Sequence, residues 1–301
     1  MRRRLLPLLG TLVGIAGVVF VARTLVTRRD EVTDALSGLD TTRLILSLLL
    51  GLAAMTSIGA LWTWMLRTRG HEAPARRAMS WYFVGQLGKY VPGGIWPIVG
   101  RAELAVRGGV DRGAAYRATG LSLVTTYSAA VVAVAAGSLL SWSRPVIGFL
   151  ALVALAAGTF VLGSRAVTQR VASVAARVTG RELSLPGRTD FVRLTAVHVP
   201  AWVLMSLSTS VTASAFGARI GIVEMLFVTS ASWLVGFLVP GVPGGIGVRE
   251  SVFTALAGAT VGAPLAVSLA LVSRVVFICV DLAGAAASTI VARSSSGAPG
   301  R

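Results

Sequence analysis

Gly85-Gln86-Leu87-Gly88-Lys89-Tyr90-Val91-Pro92-Gly93-Gly94-Ile95-Trp96 is the stretch on which the reading of this chain turns. It lies inside an apolar segment, Ala78 to Gly100, that Pro92, Gly93 and Gly94 cut into pieces. Each piece is too short to cross a bilayer core about 30 Å thick, which takes about 20 apolar residues. Irregular backbone at membrane depth is tolerated only where protein or a watery cavity surrounds it. The segment is therefore expected to enter and leave by one face, as a re-entrant hairpin buried among helices beside a cavity. The flanking charge agrees: Arg67 to Arg77 and Arg101 to Arg117 each hold four arginines, and both fall on one side only if the hairpin does not cross.

The motif has a counterpart half a chain away. Six residues separate Gly85 from Pro92-Gly93-Gly94-Ile95, and six separate Gly236 from Pro243-Gly244-Gly245-Ile246, at an offset of 151. A basic and an acidic residue follow each motif, Arg101 with Glu103 and Arg249 with Glu250. Repeats interrupted by Gly and Pro at matching positions point to a binding site where half-helix ends meet, and the exposed amides there favour anions. The plainer alternative is that Pro-Gly-Gly only makes tight turns. Outside the motif the halves barely match, so the expected half-repeats, 1–150 and 151–292, are divergent.

Working outward, a composition of 54% hydrophobic and 13% charged residues, with mean hydropathy +0.77, does not fit a water-soluble chain. Leu5 to Ala22, Leu44 to Leu66, Ala118 to Ser143, Val146 to Ser164 and Leu194 to Ala218 reach or nearly reach spanning length. The first follows Arg2, Arg3 and Arg4 but lacks a small-residue cleavage site, so it reads as a retained helix. Met225 to Val248 carries the second motif, Ser251 to Thr260 is a short piece, and Pro264 opens a helix to about Ala292. The expected fold is all-α: a polytopic integral membrane protein of about seven to eight transmembrane helices plus re-entrant or broken ones. One membrane domain spans 1–292, and 293–301 reads as a disordered tail. Assigning 19 basic residues to one side and 6 to the other places both termini in the cytoplasm of a cell-membrane protein.

The net charge of +16 resides in arginines between apolar segments, which sets orientation and does not point to nucleic acid. Lys89 is the single lysine beside 27 arginines, a bias expected of a high-GC bacterium. A lone Cys279 with His71 and His198 can build neither an intrachain disulfide nor a Cys/His zinc cluster, so no cofactor or metal is expected.

A charge at membrane depth is by default a functional hypothesis with a partner to be named. Lys89, three residues before Pro92, would meet a lipid phosphate as a point charge, or else snorkel to the interface. Arg101 and Arg249 would hold phosphate oxygens bidentately, or else pair with Glu103 and Glu250. Arg274 and Asp281 lie on one helix face about 10 Å apart, and each needs a partner from another helix. Glu250 and Asp281 are the two acids placed well within the membrane, hence the candidates for proton coupling. Tyr90 and Trp96 are expected to line the cavity, while Trp62, Trp64, Trp81 and Trp142 read as an interfacial belt.

The run from Gly85 to Trp96 followed by Gly100-Arg101, and Pro243-Gly244-Gly245-Ile246-Gly247-Val248-Arg249-Glu250, resemble the lysylphosphatidylglycerol synthase transmembrane-region family, the flippase-like membrane half of MprF-type proteins. The resemblance implies movement of lipids or lipid-linked molecules between leaflets, with membrane lipids, anionic or lipid-linked, as partners. The soluble aminoacyl-transferase domain of those proteins has no counterpart here, so synthase activity is not carried over. A Gly-x-x-x-x-Gly-Lys-Ser/Thr loop is absent, so a gradient or consumption of the product must supply any energy. The competing readings are a membrane-embedded glycosyl or phospholipid transferase, against which the twelve scattered acids weigh, and an accessory subunit of a separate lipid-synthesising enzyme. The oligomeric state stays open.

Overall fold

The computed structural model describes residues 26, 38–67, 73–91, 95–142, 144–162, 164, 167, 169–170, 173, 187–239 and 242–294. The expected first helix, Leu5 to Ala22, and the residues Pro92, Gly93 and Gly94 lie outside them, as does the tail beyond Ser294.

Among the described residues nine α-helices run in order: α1 Thr41–Arg67, α2 Ala75–Gln86, α3 Trp96–Arg107, α4 Arg112–Leu140, α5 Pro145–Leu162, α6 Arg188–Ala215, α7 Ile222–Leu238, α8 Val248–Val261 and α9 Ala263–Ser294. Short 3₁₀ turns follow α2, at Leu87–Tyr90, and α7, at Pro243–Gly245. The protein is an all-α polytopic membrane protein. Helices α1, α4, α6 and α9 are long and apolar enough to cross a bilayer, while α5 and α7 are apolar but shorter. Of the expected spans, Leu5 to Ala22 lies outside the described residues and Val146 to Ser164 forms the shorter α5, so four helices of full spanning length stand among the described residues. Helix α9 also runs to Ser294, two residues past its expected end at Ala292.

Side chains are distributed as lipid solvent demands. Phe149, Leu150 and Ile290 are 63%, 58% and 68% exposed, whereas Ser47, Ser208, Thr212, Ala129 and Ala130 are buried. Without a hydrophobic force between helices in lipid, close packing of small residues and interhelical hydrogen bonds hold the bundle. Helices α1 and α6 are joined in this way: Ser47 Oγ lies 3.0 Å from Ser208 Oγ and 2.7 Å from Thr212 Oγ1, and Ser208 Oγ donates to the Ser47 carbonyl at 2.8 Å. Such bonds contribute on the order of 0.6 to 2 kcal/mol each. On the same face of α1, Gly51 lets α9 approach, since a Cβ there would lie 3.0 Å from Val280.

Two of the expected belt tryptophans belong to the interior instead. Trp62 is fully buried and donates Nε1–H to Thr119 Oγ1 at 3.0 Å, and Trp81 is buried beside it in one cluster, whereas Trp64 and Trp142 are exposed. A buried indole needs an acceptor for its N–H, which Thr119 of α4 supplies.

The two short hairpins, α2–α3 and α7–α8, fix the position of the site. At 12 residues, α2 and α3 are each about 18 Å long, too short to span. The arms of each hairpin pack together, α9 packs against α1, α2 and α8, and the two 3₁₀ turns touch.

Candidate functional site: a cationic cavity between two helix breaks

The second break shows why its sequence is needed. Gly244 and Gly245 adopt φ of +54° and +68°, a left-handed pair that costs a residue with a Cβ roughly 1 to 2 kcal/mol per position. Gly247, at φ +80°, precedes α8 and donates its N–H to Glu250 Oε2 at 2.7 Å. The amino end of α8 is thus answered by the chain's own carboxylate, and positive character facing the cavity comes from side chains.

Each motif glycine seats the arginine that follows its break. A Cβ on Gly85 would lie 2.8 Å from Arg101 Cβ, and one on Gly236 would lie 3.1 Å from Arg249 Cβ. Each arginine then stacks on the aromatic residue three positions before that glycine: Arg101 Cζ sits 4.2 Å from the Tyr82 ring centre, and Arg249 Cζ 3.9 Å from that of Trp233. A second ring backs each guanidinium, Trp62 at 5.5 Å and Phe277 at 5.6 Å. Cation–π contacts of this kind hold a desolvated guanidinium without neutralising it.

Neither arginine pairs with the acid nearest in sequence. Residues one or two apart on a helix point in different directions. Glu103 contacts Arg112 at 3.0 Å and accepts from Tyr116 at 2.7 Å, while Glu250 contacts Arg274 at 2.5 Å. Arg101, counted among loop arginines from sequence, is buried in α3 and donates Nη2–H to Gln86 Oε1 at 2.6 Å; its Nε–H meets no partner. Among the described residues the Arg249 guanidinium makes no ion pair, and its contacts are the two rings.

Lys89 does not snorkel. Its ammonium lies 2.6 Å from Asp281 Oδ2 as a contact ion pair, and the Tyr90 hydroxyl donates to the same oxygen at 2.5 Å. Asp281 is fully buried and its Oδ1 meets no partner. Arg274 and Asp281 each find a partner from another element, Glu250 on α8 and Lys89 on the turn after α2, so α9 ties the two hairpins together.

These groups converge on one cavity of about 320 Å³, lined by Lys89, Tyr90, Arg101, Arg249 and Arg274 together with Gln86, Tyr127, Trp233, Gly236, Gly244, Gly245 and Phe277. Both hairpins contribute, and a Cβ on Gly244 would lie 3.5 Å from the Lys89 carbonyl oxygen. Trp96 does not line it: the residue is 44% exposed, and its backbone packs over Gly88. The aromatic lining comes from Tyr90, Trp233, Phe277 and Tyr127, the last stacked on Phe237 with ring centres 3.7 Å apart. Sequence reasoning passed over Tyr82, Gln86, Tyr127 and Trp233. The signal for two of them was present, because the 151-residue offset that matches Gly85 to Gly236 also matches Tyr82 to Trp233.

The wall therefore carries four cations against two buried carboxylates in contact with them, leaving two positive charges. Trp233 Nε1–H, also buried without a partner, adds a donor. Chemically, such a cavity accepts oxyanions.

The family model described as "Lysylphosphatidylglycerol synthase TM region" matches residues 8–284. No curated protein matches the chain.

Proposed function

The chain belongs to the lysylphosphatidylglycerol synthase transmembrane-region family, and from that premise we propose that it moves a phospholipid or lipid-linked polar molecule between leaflets, with the headgroup phosphate in the cavity between the two helix breaks. Family membership supports a general role in lipid translocation. The observation that carries the finer reading is Arg249: a buried guanidinium facing a cavity, held by two rings and balanced by no described carboxylate. Burial of an unpaired charge is costly enough that a counter-ion is demanded, and a lipid phosphate supplies one.

In this reading Arg249 and Arg101 hold phosphate oxygens and Lys89 lies beside them. Glu250 and Asp281 hold Arg274 and Lys89 in place. The two hairpins descend from divergent half-repeats, a view supported by the matched packing of Gly85 on Arg101 and Gly236 on Arg249. The chain sits in the cell membrane with both termini cytoplasmic, and a separate lipid-synthesising enzyme supplies or consumes the lipid.

The test is reconstitution of the purified chain in liposomes with a panel of headgroup-labelled lipids. Anionic phospholipids are expected to cross faster than in protein-free vesicles. Rates equal to those of protein-free vesicles for every lipid would overturn the proposal.

A further inference from the structure

Resting on that reading, we infer that the transported headgroup carries two phosphoryl groups, as in a lipid diphosphate or a diphosphate-linked saccharide. Four cations face the cavity, but two are already matched: Lys89 by Asp281 at 2.6 Å and Arg274 by Glu250 at 2.5 Å. The charge left for a ligand resides on Arg101 and Arg249. A phosphodiester headgroup brings one negative charge and would leave one of these buried guanidiniums unbalanced.

The two arginines also occupy separate places. Arg101 belongs to α3 and is held by Tyr82, Trp62 and Gln86; Arg249 belongs to α8 and is held by Trp233 and Phe277, and the two sets share no residue. Two fixed forks in different walls of one cavity suit two oxyanion groups better than one. Each fork has unused donors: Arg101 keeps a free Nε–H, and Trp233, under Arg249, keeps a free Nε1–H. Stacking on rings orients each guanidinium while leaving its charge intact, as a binding site requires and an ion-pair network does not. Gly85 and Gly236 have the same task in the two walls, bringing an arginine backbone close enough for its guanidinium to sit over the preceding aromatic.

The experiment places the full chain in phosphatidylcholine vesicles and follows the crossing of three labelled probes: a prenyl diphosphate, the matching prenyl monophosphate, and phosphatidylglycerol. The diphosphate is expected to cross about ten- to a hundredfold faster than the other two, the value of one additional charge-assisted contact. Arg101→Gln and Arg249→Gln should each bring that ratio close to one, and Arg101→Lys should keep part of it. Arg219→Gln, in the exposed loop before α7, should keep the parent ratio. Amounts of inserted protein are measured for every variant, so rates are per molecule, and a buried-arginine variant that fails to insert is replaced by its lysine counterpart. Equal rates for the three probes in the parent overturn the two-phosphoryl headgroup while leaving lipid transport standing. No crossing of any lipid overturns both. Passage of inorganic diphosphate itself into the vesicles, with no crossing of the prenyl diphosphate, makes the occupant a soluble anion and overturns the lipid assignment.

Discussion

Replacing Lys89 by Met removes the cation from a pair whose acid has no water to turn to. Asp281 is fully buried, its Oδ1 is already without a partner, and loss of the 2.6 Å contact leaves it with one hydrogen bond, from Tyr90. Removing one member of a buried pair costs roughly 3 to 5 kcal/mol, and the retained Tyr90 bond sets the expectation near the lower end, about 3 kcal/mol. The reverse change, Asp281→Asn, should cost less, about 1 to 2 kcal/mol. The Lys89 side chain lines the cavity, is 16% exposed, and has the Tyr90 and Trp233 rings at 5.3 and 5.5 Å to receive it. In the double variant the loss should be smaller than the sum of the singles by about 2 kcal/mol, since neither charge is left alone. The assay is unfolding of the purified protein by SDS titration in mixed micelles, run on parent, two singles and the double. Additive losses, or a Lys89→Met variant within about 0.5 kcal/mol of the parent, would refute the pairing argument.

Arg249→Met should lower per-molecule lipid crossing about ten- to a hundredfold at near-normal protein in the membrane, with Arg219→Met as the loop control. Equal loss of inserted protein and activity would instead mark Arg249 as structural. Gly85→Ala should destabilise the fold by about 1 to 3 kcal/mol, because the new methyl would lie 2.8 Å from Arg101 Cβ and 2.9 Å from its Cα; unchanged SDS-unfolding would contradict the close approach. Cysteines at Arg76 and Arg112 should share protection from an impermeant reagent in intact cells, while those at Gly38, Arg144 and Arg219 react. Reaction at Arg112 with protection at Arg76 would make the α2–α3 hairpin a true span.

The sequence alone determined the elements and their interruptions. Apolar run length marks α1, α4, α5, α6 and the long helix opened by Pro264 without telling the shorter α5 from the others, and Pro-Gly-Gly interrupts a helix because both residue types oppose its propagation through their own backbone. It also determined that Arg274 and Asp281, nearly two turns apart, would look to other helices. Tertiary structure alone decided which partners they met. Lys89 and Asp281 are separated by most of the chain, and Glu250 chose Arg274 over adjacent Arg249. Trp96 turned outward while Trp233, marked in the sequence only by its 151-residue offset from Tyr82, became the floor under Arg249. Helical periodicity fixes which residues share a face, but the facing element is set by packing of the whole bundle, where small residues such as Gly85 and Gly236 decide how near two backbones come. The unbalanced arginines became visible only there, since a charge is unpaired only with respect to everything folded around it.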